Sequence, residues 1–144
     1  MKCISISLLF AALAVAVLAA DSFPINVYPC PRVGGVQAPA PQLDGKLDDH
    51  CWQGAGVAAN FVDIRDGEPA KLATTARLLV DDRALYVGFD CPEPRMEAVE
   101  AKEKQHDGTV WLEDEVELFV GGAARRPYAH LIVTTANVVL DERY

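Results

Sequence analysis

The sequence predicts an all-β protein, an antiparallel β-sandwich of the jelly-roll or immunoglobulin-like kind, from two observations. Apolar residues recur with period 2 in several short segments, and polar connections of a few residues separate those segments. The one run of strong helix formers, Arg95 to Gln105, has almost no apolar stripe, so no helix able to cover a core is in view.

The elements follow in chain order. Met1-Lys2 carries one positive charge, Ile4 to Leu18 is almost wholly apolar, and Ala19-Ala20 offers the small residues a signal peptidase accepts, so residues 1–20 are expected to be a secretory signal. Residues 21–42 concentrate Pro24, Pro29, Pro31, Pro39, Pro41 and Gly34-Gly35, which reads as an irregular lead-in because proline fixes its own φ and donates nothing to a sheet ladder. The folded domain is expected over 43–144. Leu72, Thr74, Ala76, Leu78 and Val80 share one face of an extended segment, and Leu85, Val87 and Phe89 share one face of the next. Asp81-Asp82-Arg83 between them is a short polar hairpin connection. The stretch Arg95 to Gln105, with Glu100 and Lys104 four apart, is taken as a solvated excursion, helical or not. Val116, Leu118 and Val120 then alternate with Glu115, Glu117 and Phe119, a third strand half-buried against a core. Tyr128 to Thr135 and Asn137 to Leu140 supply a fourth and fifth, rich in Val, Ile and Thr.

Composition narrows the function. The chain has 144 residues, 51% hydrophobic and 24% charged, which suits one globular domain. A formal charge of −8 and a pI near 4.7 exclude nucleic acid as a partner and disfavour an anionic membrane surface. After signal removal no membrane segment is expected. Three cysteines remain, Cys30, Cys51 and Cys91, an odd number with no C-x-x-C, so zinc-ribbon and thioredoxin-type sites lack support and small buried thiols are expected. Phosphate-binding loops, the G-x-S-x-G elbow, G-x-G-x-x-G and H-E-x-x-H are all missing from the sequence. His50, His106 and His130 are scattered, without short metal-binding spacings.

The densest chemistry lies in Trp111 to Phe119, where one indole neighbours Glu113, Asp114, Glu115 and Glu117. Three readings stand: a solvated acidic strand start beside a core tryptophan, a calcium site drawing on Asp90 or Asp114, and sugar recognition by an indole platform with carboxylates accepting hydroxyl hydrogen bonds. Glu115 and Glu117 fall on the same strand face, about 7 Å apart by strand rise, a separation within glycosidase range. Both would reach a sugar from one side, however, and no opposing group is in view, so binding without catalysis is the expectation.

The order of signals resembles the family 9 carbohydrate-binding module. Leu43-Asp44-Gly45-Lys46-Leu47-Asp48-Asp49 through Trp52 is similar to its opening phrase, Thr75 to Asp81 followed by Ala84-Leu85-Tyr86-Val87 to its hairpin, and Val110 to Phe119 to its W…D.VE(I/L)F strand. The resemblance implies a β-sandwich that binds glucans, xylans or short sugars, with Trp111 stacking on the sugar and Glu117 bonding its hydroxyls from the face opposite Val116 and Leu118. It also implies a structural Trp52, a turn around Gly45 shaped by Asp44 and Asp48, and calcium as a cofactor, for which Asp90 and Asp114 are the candidate ligands. Two departures accompany it: Ile132 is apolar where the family can place a basic contact residue, and the chain stops at Tyr144, so the domain is expected to be incomplete at its C-terminus, without a second stacking tryptophan. The carbohydrate ligand is therefore the expected partner, with a catalytic domain on the same full-length chain as the alternative. A haem-binding sandwich, with Met96 and His130 as axial pair, is the remoter alternative.

Overall fold

The structure, a computed structural model, describes residues 26–33, 39–122 and 126–144. The expected signal, residues 1–20, and parts of the expected lead-in lie outside the described residues. Six strands build two three-stranded antiparallel sheets, β1 (Gly56–Ala58), β2 (Thr75–Val80) and β3 (Leu85–Asp90) in one, and β4 (Glu115–Gly121), β5 (Tyr128–Thr134) and β6 (Val139–Arg143) in the other. Single 3₁₀ turns at His50–Gly54, Met96–Ala98 and Val110–Leu112 are the helical elements among the described residues. The protein is all-β, in keeping with the sandwich the alternation predicts.

The first sheet follows the sequence pattern. Register sets Ala76 opposite Phe89, Leu78 opposite Val87 and Val80 opposite Leu85, so the expected apolar positions do share a face. The hairpin is closed by Asp81, whose Oδ1 accepts from the Arg83 and Ala84 amides at 2.7 Å each and whose Oδ2 accepts from the Tyr86 hydroxyl at 2.8 Å. Those bonds to the charged form hold the Asp81 carboxyl below its ordinary pKa. The other face carries the tighter cluster: Trp52, 5% exposed, packs with Leu79, Cys51 and Val33, with Leu47 and Tyr86 against them. Gly88 lets this happen, because a Cβ there would stand 2.3 Å from Leu47 Cδ2 and 3.3 Å from the Trp52 ring. Trp52 is thus structural, as expected. Asp44 shapes its turn, accepting from the Lys46 amide at 3.0 Å around Gly45 at φ +79°. The proline-rich lead-in is irregular yet contributes a rung: the Val33 amide donates to the Val80 carbonyl at 2.7 Å, and the Val80 amide to the Pro31 carbonyl at 3.0 Å.

In the second sheet the deepest burial falls on the side the sequence reading left outward. Ile132 and Leu140 pair across β5 and β6, and with Val110, fully buried, they form the core cluster there. Ile132 sits opposite Glu117, so this cluster lies on the Glu117 face, whereas Val116 and Leu118 are half-buried on the other and Val120 is exposed. The reason is tertiary: the segment before β4 folds back over the sheet and brings Val110 down on Ile132, an addition that strand alternation cannot reveal. Between the two sheets opens a cleft of about 730 Å³ whose apolar lining includes Leu47, Val87, Phe89, Val99, Val116 and Val133. Where two or three buried cysteines are expected, with a disulfide between two of them as the alternative, only Cys51 is buried, its burial pushing the thiol pKa up; Cys30 and Cys91 are exposed, and all three are free thiols.

Candidate functional site

The charged excursion does not form the helix its composition would permit. Beyond one turn at Met96–Ala98 it is irregular, and Lys102 Nζ, rather than Lys104, meets Glu100 Oε1 at 2.8 Å. Its shape comes from carboxylates accepting backbone amides. Glu103 accepts from the amides of Lys104 at 2.7 Å, Gln105 at 2.9 Å and Thr109 at 3.2 Å, which together hold its carboxyl below the usual glutamate pKa. Glu113 Oε1 accepts from Lys102 at 2.6 Å and Glu103 at 2.7 Å. Asp114 Oδ2 accepts from the Glu100 amide at 2.7 Å, while the Asp114 amide donates to the Glu100 carbonyl at 3.0 Å. Two acids of the Trp111–Phe119 run, Glu113 and Asp114, are thereby engaged in tying the loop to the start of β4, while Glu103 shapes the loop itself.

That clasped loop presents Trp111. Its neighbour Val110 is fully buried against Ile132 and Leu140, while the indole itself is 54% exposed. Trp111 accordingly stands outside the interior, on the 3₁₀ turn that precedes β4. One Glu117 oxygen, Oε2, lies 2.8 Å from His130 Nε2 on β5, which steadies the carboxylate. Glu115, two residues earlier on that face, is pushed to a higher pKa first by desolvation and then by the Glu117 charge; its Oε2 is buried without a partner.

The structure adds residues that sequence reading did not select. Register places Phe119 opposite His130 and Gly121 opposite Tyr128, and Tyr128 exchanges both backbone bonds with Tyr144. The Phe119 and His130 rings stack at 4.2 Å between centroids, 8° apart, and the Tyr128 and Tyr144 rings at 5.2 Å and 21°; Phe119 lies 6.0 Å from Tyr128. Phe119 and Tyr144 are 59% and 47% exposed. Tyr128 and His130, spaced by two in an extended segment, were a visible hint; their pairing with Phe119 depends on register across 122–127, which the sequence leaves open.

Asp90 and Asp114 are not brought into a multidentate group. Asp90 sits exposed at the end of β3, and Asp114 commits one oxygen to the Glu100 amide. Calcium takes six to eight oxygens, and neither residue belongs to a cluster of three His, Cys, Asp or Glu side chains among the described residues, so these two positions do not by themselves fit that ion. The cluster that does form is His106, Asp107 and Asp141, all exposed: the His106 ring bridges the two carboxylates at 3.0 and 3.1 Å. Asp107 also covers the outer edge of β6, donating its amide to the Val139 carbonyl at 3.0 Å and accepting the Asp141 amide at 3.2 Å. The axial pair considered for haem is separated by role: Met96 is exposed on its turn lining the cleft, while His130 is bound to Glu117.

Residues 43–130, more than half of the chain, match the family described as carbohydrate family 9 binding domain-like. No curated protein and no solved structure matches the chain.

Proposed function

Because the chain belongs to the carbohydrate family 9 binding domain-like family, we propose that it attaches to carbohydrate through the Trp111–Glu117 face and does no chemistry on it. The observation that carries this reading is the half-exposed indole of Trp111, next in sequence to the fully buried Val110 and followed by Glu113, which clasps the preceding loop. A flat indole covers the apolar C–H face of a pyranose, and the carboxylate oxygen not engaged by His130 accepts a ring hydroxyl. Catalysis is disfavoured by geometry, since Glu115 and Glu117 project from one strand face, whereas a glycosidase sets its two carboxyls across the scissile bond.

The ligands proposed are glucans, xylans or their short fragments, in keeping with the family resemblance. Export is proposed from the apolar Ile4 to Leu18 run after Met1-Lys2, and a role in carbohydrate breakdown beside a glycoside hydrolase domain follows as the wider setting. Calorimetry with cellobiose, xylobiose, soluble glucan and xylan tests the reading. Covering one face of the exposed half of Trp111 removes about 70 Å² from water, about 1.7 kcal/mol at ~25 cal/mol per Å², so Trp111→Ala should weaken binding by roughly ten- to twenty-fold. Equal affinity in parent and variant overturns the assignment, and release of reducing sugar by the purified chain overturns the non-catalytic part.

A further inference from the structure

We infer that His106, Asp107 and Asp141 form a site for one divalent transition-metal ion of the Zn²⁺ kind, which ties the segment ahead of Val110 to β6. The inference stands on these three side chains and is independent of where carbohydrate binds.

The fold assembles the site from two parts of the chain. His106 and Asp107 occupy the bend before the 3₁₀ turn at Val110–Leu112, where the Gly108 amide donates to the Gln105 carbonyl at 3.0 Å. Asp107 takes φ +59° there, a left-handed value that aspartate tolerates. Asp141, 34 residues further on, lies in β6. The main chain holds the two parts together by itself: the Asp107 amide donates to the Val139 carbonyl at 3.0 Å, and Asp107 Oδ1 accepts the Asp141 amide at 3.2 Å. Asp107 Oδ2 then lies 3.0 Å from His106 Nδ1, and Asp141 Oδ1 lies 3.1 Å from His106 Nε2. The ligand atoms of all three residues fall within 4.8 Å of one another, so one ion feels both carboxylate charges.

The ligand set selects the ion. Bonds of about 2.0–2.1 Å to nitrogen and oxygen place neighbouring ligand atoms roughly 3 Å apart around a shared ion, which is the spacing between Nε2 and Asp141 Oδ1. A hard ion such as Ca²⁺ takes six to eight oxygens, whereas an imidazole with carboxylates suits Zn²⁺ or Ni²⁺. Hydrogen bonding by a neutral ring does not account for both contacts, because such a ring carries one N–H and faces the second carboxylate with a lone pair. An ion on Nε2 accepts that lone pair and draws in Asp141, while Nδ1–H stays directed at Asp107, the arrangement in which a carboxylate steadies a ligating histidine. All three side chains are exposed, so water completes the coordination shell, and the formal net charge of −8 favours a cation.

The test is calorimetry and thermal melting of the full chain with Zn²⁺ and, separately, with Ca²⁺, after the exposed thiols of Cys30 and Cys91 have been alkylated so that sulfur does not compete. One Zn²⁺ should bind per chain, and Tm should rise with Zn²⁺ concentration, because Asp141 meets His106 only in the folded state. Ca²⁺ should do neither. His106→Ala and Asp141→Asn should each weaken Zn²⁺ binding by about ten-fold or more and remove the rise in Tm. Asp107→Asn, which keeps an oxygen for Nδ1–H, should weaken it less. Circular dichroism of each variant separates a lost ligand from a lost fold, and His106 and Asp141 come from different parts of the chain, so either variant alone decides. The site is overturned by an absence of saturable binding up to millimolar Zn²⁺, by Zn²⁺ binding indifferent to His106→Ala and Asp141→Asn, or by Ca²⁺ binding as tightly as Zn²⁺.

Discussion

Truncating Val110 tests the physical link between the core and the site. The side chain is fully buried in a cluster of only three buried residues, with Ile132 and Leu140. Val110→Ala removes two buried carbons, worth about 1.6 kcal/mol at ~0.8 kcal/mol per methylene, and the void left under an otherwise supported loop raises the cost to about 2–3 kcal/mol. Urea unfolding reads this as a lower midpoint at unchanged slope. Only two tryptophans are present, Trp52 nearly inaccessible and Trp111 half-exposed, so acrylamide quenching reports the loop almost by itself. In the variant the quenchable fraction should rise, and sugar affinity should fall with it because the indole loses its fixed position. The control is Trp111→Ala, which should cost less than about 0.5 kcal/mol of stability, as surface substitutions do. A Val110→Ala loss below about 0.5 kcal/mol, with quenching unchanged, would refute the claim that this residue seats the loop.

Other outcomes follow from single observations. Glu115→Gln should raise Tm at neutral pH: the folded-state pKa is raised by desolvation and the Glu117 charge, so the ionised side chain opposes folding above that pKa, and the gain should vanish as pH falls below the ordinary value of 4.5, checked by thermal melts from pH 3 to 8. Glu113→Ala should lower stability by about 1–2 kcal/mol and weaken sugar binding together, since two backbone amides lose a charged acceptor. Gly56→Ala should destabilise by about 1–3 kcal/mol or more, because its Cβ would fall 1.7 Å from the Pro29 carbonyl oxygen, backbone that cannot rotate away; chemical denaturation measures it. Millimolar Ca²⁺ should leave Tm unchanged, given that Asp114 is engaged with Glu100 and Asp90 stands apart, and a rise abolished by Asp114→Asn would restore the ion to the site.

What the sequence conveyed was whatever depends on neighbours along the chain. The β2–β3 hairpin, with Asp81 closing its turn, and the turn of Asp44 at Gly45 are local, and the alternation of Ala76, Leu78 and Val80 with their partners on β3 is preserved in the register. Trp52 as a core residue and Trp111 as an exposed one were also legible, from the phrases that carry the family resemblance. Hidden from view were the consequences of chain reversal. Val110 seals Ile132 and Leu140 only because the preceding loop doubles back, which moves the deepest burial to the Glu117 face. The stack of Phe119 on His130 needs the register of β4 against β5, set by a connection containing Gly121-Gly122 and Pro127 whose length alone does not define a turn.

Several of the acids near the indole have a structural role in the same loop. A carboxylate cluster next to an indole invites a chemical reading, yet Glu113 and Asp114, like Glu103 in the loop itself, satisfy backbone amides that an irregular segment without a sheet partner would otherwise leave to water. A helix over Arg95 to Gln105 would satisfy those amides internally, but it would lack an apolar stripe with which to dock. The irregular loop docks through one fully buried side chain, Val110, and its acids replace the missing ladder. Glu117, by contrast, is held by a side chain, His130. The bonds divide the acids into two groups: carboxylates that accept amides shape the loop, and Glu117 pairs with an imidazole on the neighbouring strand, the group to which the proposed function assigns the ligand.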